Sequence, residues 1–209
     1  MIESIVNSLA GLSVWELVAV ILAIAYLVLA VRQNIWCWAA AALSTLIYLF
    51  IFYRASLFME SALQVFYLGM AGYGYHQWRG RTQRDEGLAV SLWPWRHHLL
   101  AIIGIVLLSA LTGAWMERNT GAALPYLDAF TTISAMLTTY MVARKILENW
   151  IYWFIIDSVS IYLYVSRELY LTAVLFAVYL VIIVFGYRDW RRTWLGQSRQ
   201  VEAHVNSPG

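Results

Sequence analysis

The stretch YGYHQWR at residues 73–79 returns as FGYRDWR at residues 185–191, so that Gly74, Tyr75, Trp78 and Arg79 recur as Gly186, Tyr187, Trp190 and Arg191. From Trp78 to Trp190 the offset is 112 residues, and it holds without a gap further back. Tyr67 meets Tyr179, Trp38 meets Trp150, Arg32 meets Arg144, Ile21 meets Ile133 and Glu16 meets Asp128. An aromatic and arginine signature at one helix end could arise twice as an interface anchor. A register kept through three successive segments points instead to an internal duplication.

Those segments are apolar. The 209 residues are 62% hydrophobic and 12% charged, against roughly half apolar and a quarter charged in soluble domains. Runs long enough to cross a bilayer as helices fall at about 12–31, 35–53, 57–78, 98–116, 124–143, 150–166 and 169–187. No segment alternates apolar and polar residues as a barrel strand does. The first run carries Glu16, lacks a basic flank and is read as a retained helix rather than a leader. The fold class is therefore all-α integral membrane, with seven transmembrane helices.

The offset aligns runs 1–3 with runs 5–7 and leaves run 4 unpaired. This predicts a three-plus-one-plus-three repeat in a single membrane domain: repeat A over 12–79, a connector helix over 98–116, repeat B over 124–191 and a cytoplasmic tail over 192–209. Four crossings separate each pair, an even number, so the repeat is parallel, one of the two builds of secondary transporters. Orientation follows from Lys and Arg. With the N-terminus outside, the inner connections hold Arg32, Arg79, Arg81, Arg84, Arg96, Arg144, Lys145, Arg188, Arg191, Arg192 and Arg199, and the outer ones only Arg54, Arg118 and Arg167. The N-terminus is expected outside and the C-terminus in the cytoplasm. The polar connection from Arg79 to His98 is expected to be mobile, with Trp93 and Trp95 at the interface, and the end from Gln197 to Gly209 to lack regular structure.

Two helical stripes could face a ligand. Gln64, Tyr67, Ala71, Gly74, Tyr75 and Trp78 share one face of run 3; Asn149, Trp153, Asp157, Ser160 and Tyr164 share one face of run 6. Asp157 lies near mid-membrane, where an ionisable group costs about 3 kcal/mol or more and usually faces a cavity or a partner. The two halves differ here, since Gln64 is matched by Phe176, Asp157 by Thr45 and Asn149 by Cys37. A symmetric frame with unequal polar groups suits an asymmetric small molecule. Aromatic faces and one deep acid favour flat, cationic cargo. Interhelical hydrogen bonding is the competing role for Gln64, Asn149 and Asp157.

The stretches LFMESALQVFYLGMAGYGYHQW (57–78), LPYLDAFTTISAM (124–136), ARKILENWIYWFIIDSVSIYLY (143–164) and GYRDW (186–190) resemble the Pnu family of bacterial vitamin transporters over nearly the whole chain. The resemblance implies facilitated diffusion of a phosphate-free vitamin precursor, nicotinamide riboside first, across the bacterial inner (cytoplasmic) membrane. A cytosolic kinase would trap the cargo, and the chains would assemble as homotrimers. It places Gln64, Tyr73, Gln77 and Trp78 of run 3 and Asn149, Trp150, Trp153 and Asp157 of run 6 toward the pathway, to which the stripes add Tyr67 and Tyr164. Tyr75–His76 and Thr139 depart from the family pattern, which leaves thiamine or another vitamin as the alternative cargo.

Other classes fit less well. A retinal protein needs a lysine inside the bundle, and the only lysine, Lys145, lies at a helix end. An integral-membrane enzyme would need a metal cluster or an activated nucleophile. His76, His97, His98 and His204 lie at membrane edges or in the tail, so no catalytic residue, metal or cofactor is expected, nor any nucleic-acid partner. No P-loop is present. With no titratable relay, uniport is favoured, and Gly69, Gly72, Gly74 and Gly186 are the candidates for letting helices bend.

Overall fold

The computed structural model describes residues 13–54, 58–79, 88–121 and 124–205. Among them are seven helices: α1 (Val14–Val31), α2 (Cys37–Arg54), α3 (Phe58–Trp78), α4 (Trp95–Asn119), α5 (Pro125–Ala143), α6 (Asn149–Ser166) and α7 (Tyr170–Val205). Local chemistry sets several ends. Ser13 accepts from the Glu16 amide while the Glu16 carboxylate accepts from the Ser13 amide, a capping box that starts α1. Pro125 opens α5, where its missing N–H and preset φ cost nothing. Gln33 (φ 53°) and Lys145 (φ 51°) turn the chain after α1 and after α5 in the left-handed region. These two residues are 112 apart.

Helices α1, α2 and α3 pack in succession, as do α5, α6 and α7; α3 leans on α5, α7 leans on α1, and α4 packs on α5. Where α4 meets α5, a Cβ on Gly113 would come within 2.9 Å of the Tyr126 Cα, so the close approach requires glycine. By length and composition α1, α2, α4 and the 170–200 part of α7 can cross a membrane. The polar groups concentrate in α3, α5 and α6. On α4 the outward face is almost wholly apolar, with Leu100 and Leu111 both more than two-thirds exposed, as expected of a helix whose solvent is lipid.

A tryptophan cluster closes one end of the bundle. Trp38 meets Trp78 edge-on with centroids 5.5 Å apart, Trp150 meets Trp190 edge-on at 5.4 Å, and Trp78 meets Trp190 at 6.0 Å. Trp78 Nε1 donates to the Ala143 carbonyl at 3.2 Å and Trp190 Nε1 to the Ala30 carbonyl at 3.0 Å. Gly74 lies directly against the Trp38 indole, and Gly186 against that of Trp150. These ring, glycine and carbonyl contacts recur at an offset close to 112 residues. Gly69 and Gly72 have open space beside them, which separates the four glycines into two packed and two free.

Two expectations about the connections are corrected. α7 continues without a break to Val205, because Arg, Gln, Ala and Glu all favour helix; Gln33 Nε2 donates to Thr193 Oγ1 at 3.1 Å and ties the extension to the α1–α2 turn. The stretch 88–94 is held in place: Ser91 exchanges backbone hydrogen bonds with Lys145 and Leu147 at 3.0 and 2.9 Å, and Val90 is buried. Residues 80–87 and 206–209 lie outside the described residues.

Candidate functional site

Beside the tryptophan cluster lies a cavity of about 1210 Å³. It runs from the ends of α3, α4, α5 and α6 marked by Glu60, Thr120, Asp128 and Arg167 down to a floor at Ala30, Val142 and Trp150. Its walls are mostly apolar and aromatic with a few polar groups, the composition of small-molecule sites. At the mouth Arg167 pairs with Asp128 at 3.1 Å. Behind the floor the tryptophan cluster is backed by Lys145, whose ammonium lies 4.6 Å from the Trp78 ring centre and donates to Gln33 Oε1 at 3.2 Å. Burial pulls Lys145 below the usual lysine range, since desolvation penalises the charged amine.

Six of the ten residues singled out in the sequence line this cavity: Gln64 and Tyr67 from α3, and Trp150, Trp153, Asp157 and Tyr164 from α6. The α6 stripe does so because 153, 157, 160 and 164 step by three or four along one face of an unbroken helix. Asp157 is 3% exposed and forms no ion pair or hydrogen bond with a described side chain. Tyr164 and Tyr179 share the lining with it.

The other four lie elsewhere. Trp78 belongs to the cluster behind the floor. Asn149 is wholly buried at the start of α6, where Nδ2 donates to the Ile146 carbonyl at 2.6 Å and Oδ1 has no partner. Tyr73 stacks on Tyr140 with centroids 6.1 Å apart. Gln77 is half-buried away from the lining. Helical period put Trp78 on the run-3 face and Asn149 on the run-6 face, and the family resemblance added Tyr73 and Gln77; none of this gives a depth, and the four sit below the level at which the cavity ends.

The cavity also contains Tyr26, Phe176 and Tyr179, which the polar stripes left out. Tyr179 could have been found, because it is the counterpart of Tyr67 at the offset of 112. Among the described residues no three His, Cys, Asp or Glu side chains are grouped to hold a metal ion. His98 instead bridges helices, with Nδ1 3.0 Å from the Tyr152 hydroxyl and Nε2 3.5 Å from Glu148.

Residues 13–192 match the family model described as nicotinamide mononucleotide transporter. The riboflavin/roseoflavin transporter RibM of Streptomyces davaonensis is 26% identical over 193 residues, covering 89% of this chain and 87% of that protein. The nicotinamide riboside transporter PnuC of Escherichia coli is 22% identical over 165 residues, covering 67% of this chain and 69% of that one. The crystal structure of the vitamin B3 transporter PnuC superposes with a TM-score of 0.71 at 21% identity, over 92% of this chain and 87% of that chain. With its apolar helices and these relatives, this is a multi-pass membrane protein, and it belongs to the nicotinamide mononucleotide transporter family.

Proposed function

We propose that the chain is a uniporter that carries nicotinamide riboside across the bacterial cytoplasmic membrane, entering at the Glu60–Asp128–Arg167 mouth, with a cytosolic kinase trapping the cargo. The observation that carries this reading is Asp157, an acid without a described cationic partner in an aromatic cavity, which suits the positive pyridinium of that riboside. The lining also argues against a phosphorylated cargo. Asp128 offsets Arg167, which leaves no uncompensated cation among the described lining residues to pair with a phosphate. In this reading the N-terminus is outside, the cavity faces outward, and two parallel three-helix units rock about the tryptophan cluster. The chains assemble as homotrimers.

A second reading is favoured by the match to the riboflavin/roseoflavin transporter over most of both chains: a neutral flavin, or another vitamin such as thiamine, in the same cavity. The test is uptake of radiolabelled nicotinamide riboside, riboflavin and thiamine into proteoliposomes, with and without a protonophore. Saturable riboside uptake that ignores the protonophore, and that falls about 10- to 100-fold in Asp157→Asn, is expected from the loss of a charge partner at low effective dielectric. Riboflavin or thiamine uptake without riboside uptake moves the function to the second reading. Uptake of none refutes both.

A further inference from the structure

Helices α3 and α7 form opposite walls of the cavity. They share no close backbone approach among the described residues, and their Trp78 and Trp190 rings meet behind the floor. Both walls carry a tyrosine at the matched position, Tyr67 and Tyr179, and both line the cavity. One turn away the walls differ. α3 presents Gln64 and α7 presents Phe176, again matched at the offset of 112 and again both in the lining.

The surroundings of this pair differ in the same sense. The Phe176 ring centre lies 5.0 Å from that of Tyr164 and 5.5 Å from that of Tyr179, tilted by 50° and 51°. With Asp157 on the adjacent α6, that wall is an aromatic platform beside a buried carboxyl group. Gln64 has no hydrogen-bond partner among the described residues, so its amide is available to the cavity. A flat ring gains most on the first wall, and hydroxyl groups gain most on the second.

We propose that Phe176 is the specificity-determining residue that seats the heteroaromatic ring of the cargo. The cargo then binds in one orientation, with its ring toward Phe176, Tyr164 and Asp157 and its hydroxylated portion toward Gln64. This rests on the reading of the cavity as the cargo site. It goes beyond that reading by fixing which end of the cargo meets which wall.

The test is a cycle of two ligands against four proteins, measured by calorimetry on the purified full-length chain. The ligands are nicotinamide riboside and 1-methylnicotinamide, which keeps the cationic ring and lacks the sugar. The proteins are wild type, Phe176→Leu, Phe176→Tyr and Gln64→Leu; Phe176→Met, close in volume, replaces the leucine variant if that one does not fold. Phe176→Leu is expected to weaken both ligands by about tenfold, and Phe176→Tyr by no more than about threefold, because ring contact is kept. Gln64→Leu is expected to weaken the riboside and leave 1-methylnicotinamide unchanged. Unchanged binding in Phe176→Leu, or equal weakening of both ligands in Gln64→Leu, overturns the assignment while leaving the cavity as the cargo site. If wild type binds only riboflavin, the same cycle with riboflavin and lumichrome, its ring without the ribityl chain, separates the same outcomes. Binding of no vitamin by wild type would overturn the function and this assignment together.

Discussion

Replacing Gly74 with alanine tests the packing that closes the bundle. A Cβ there would overlap the Trp38 indole, and at the matched Gly186 it would sit 2.6 Å from the Trp150 ring. Neither indole can simply swing aside, because Trp38 is edge-on to Trp78 and Trp150 to Trp190. Overpacking of this kind costs about 1–3 kcal/mol, and the disturbed ring pair adds about 0.5–1.5 kcal/mol. Alanine in a helix recovers about 1 kcal/mol relative to glycine. Gly72→Ala isolates that gain, since nothing lies within 4 Å of its Cβ position. Gly74→Ala should therefore be less stable than Gly72→Ala by about 1.5–4.5 kcal/mol, roughly 5–15 °C in Tm for a chain of this size. Thermal unfolding in detergent, followed by tryptophan fluorescence, measures the difference. A Trp38→Leu background should shrink it, because two residues in contact are not additive. Equal Tm values for the two alanine variants, or the same gap in the Trp38→Leu background, would refute the reasoning.

The buried Lys145 has its pKa lowered from 10.5 by desolvation, so the unfolded chain holds that proton more tightly than the folded one and stability rises with pH until the ordinary value is passed. Melting temperatures taken at pH 7 to 10.5 should climb, and Lys145→Met should flatten the climb. Trp78→Phe leaves the Ala143 carbonyl without its partner and should lower stability by about 1–3 kcal/mol; Trp190→Phe should do the same through Ala30, and the double variant should be non-additive in unfolding melts. Arg167→Ala removes a partly exposed pair with Asp128, so its stability should change by less than about 1 kcal/mol. Freed of its arginine, Asp128 should make uptake of a cationic cargo faster at low salt, with the gain vanishing near 1 M salt; salt-independent uptake would contradict this.

Helix order was legible because each apolar run is long, and a run of that length has one stable form in lipid. Helix ends were not legible where apolarity stops before the helix does. α7 extends past Arg188 since nothing in RDWRRTWLGQSRQVEAHV breaks a helix until the chain leaves the described residues, apart from the tolerated Gly196. The α6 stripe transferred to the structure because period alone determines a face on a straight helix. Depth along the helix is a different quantity. It depends on where the tryptophan cluster ends the cavity, which no spacing reveals, and so Tyr73, Gln77, Trp78 and Asn149 fell outside the lining. Phe176 escaped notice as a site residue for the opposite reason: an aromatic side chain on a lipid-spanning helix carries no signal that it faces inward.

Gln33 and Lys145 touch each other, and so do Trp78 and Trp190. In each pair a residue meets the one 112 positions away, which under the proposed internal repeat is its own counterpart. Two related bodies can meet counterpart to counterpart only on the axis that relates them. A side chain placed on such an axis must tolerate a copy of itself unless the copies have diverged. Two tryptophans satisfy this, because indoles tilted by 57° with centroids 6.0 Å apart attract rather than repel. Two lysines within reach of one hydrogen bond would not, with two desolvated ammonium groups and no acceptor between them. The one lysine of this chain therefore stands where its counterpart must be something else, and glutamine supplies the missing acceptor.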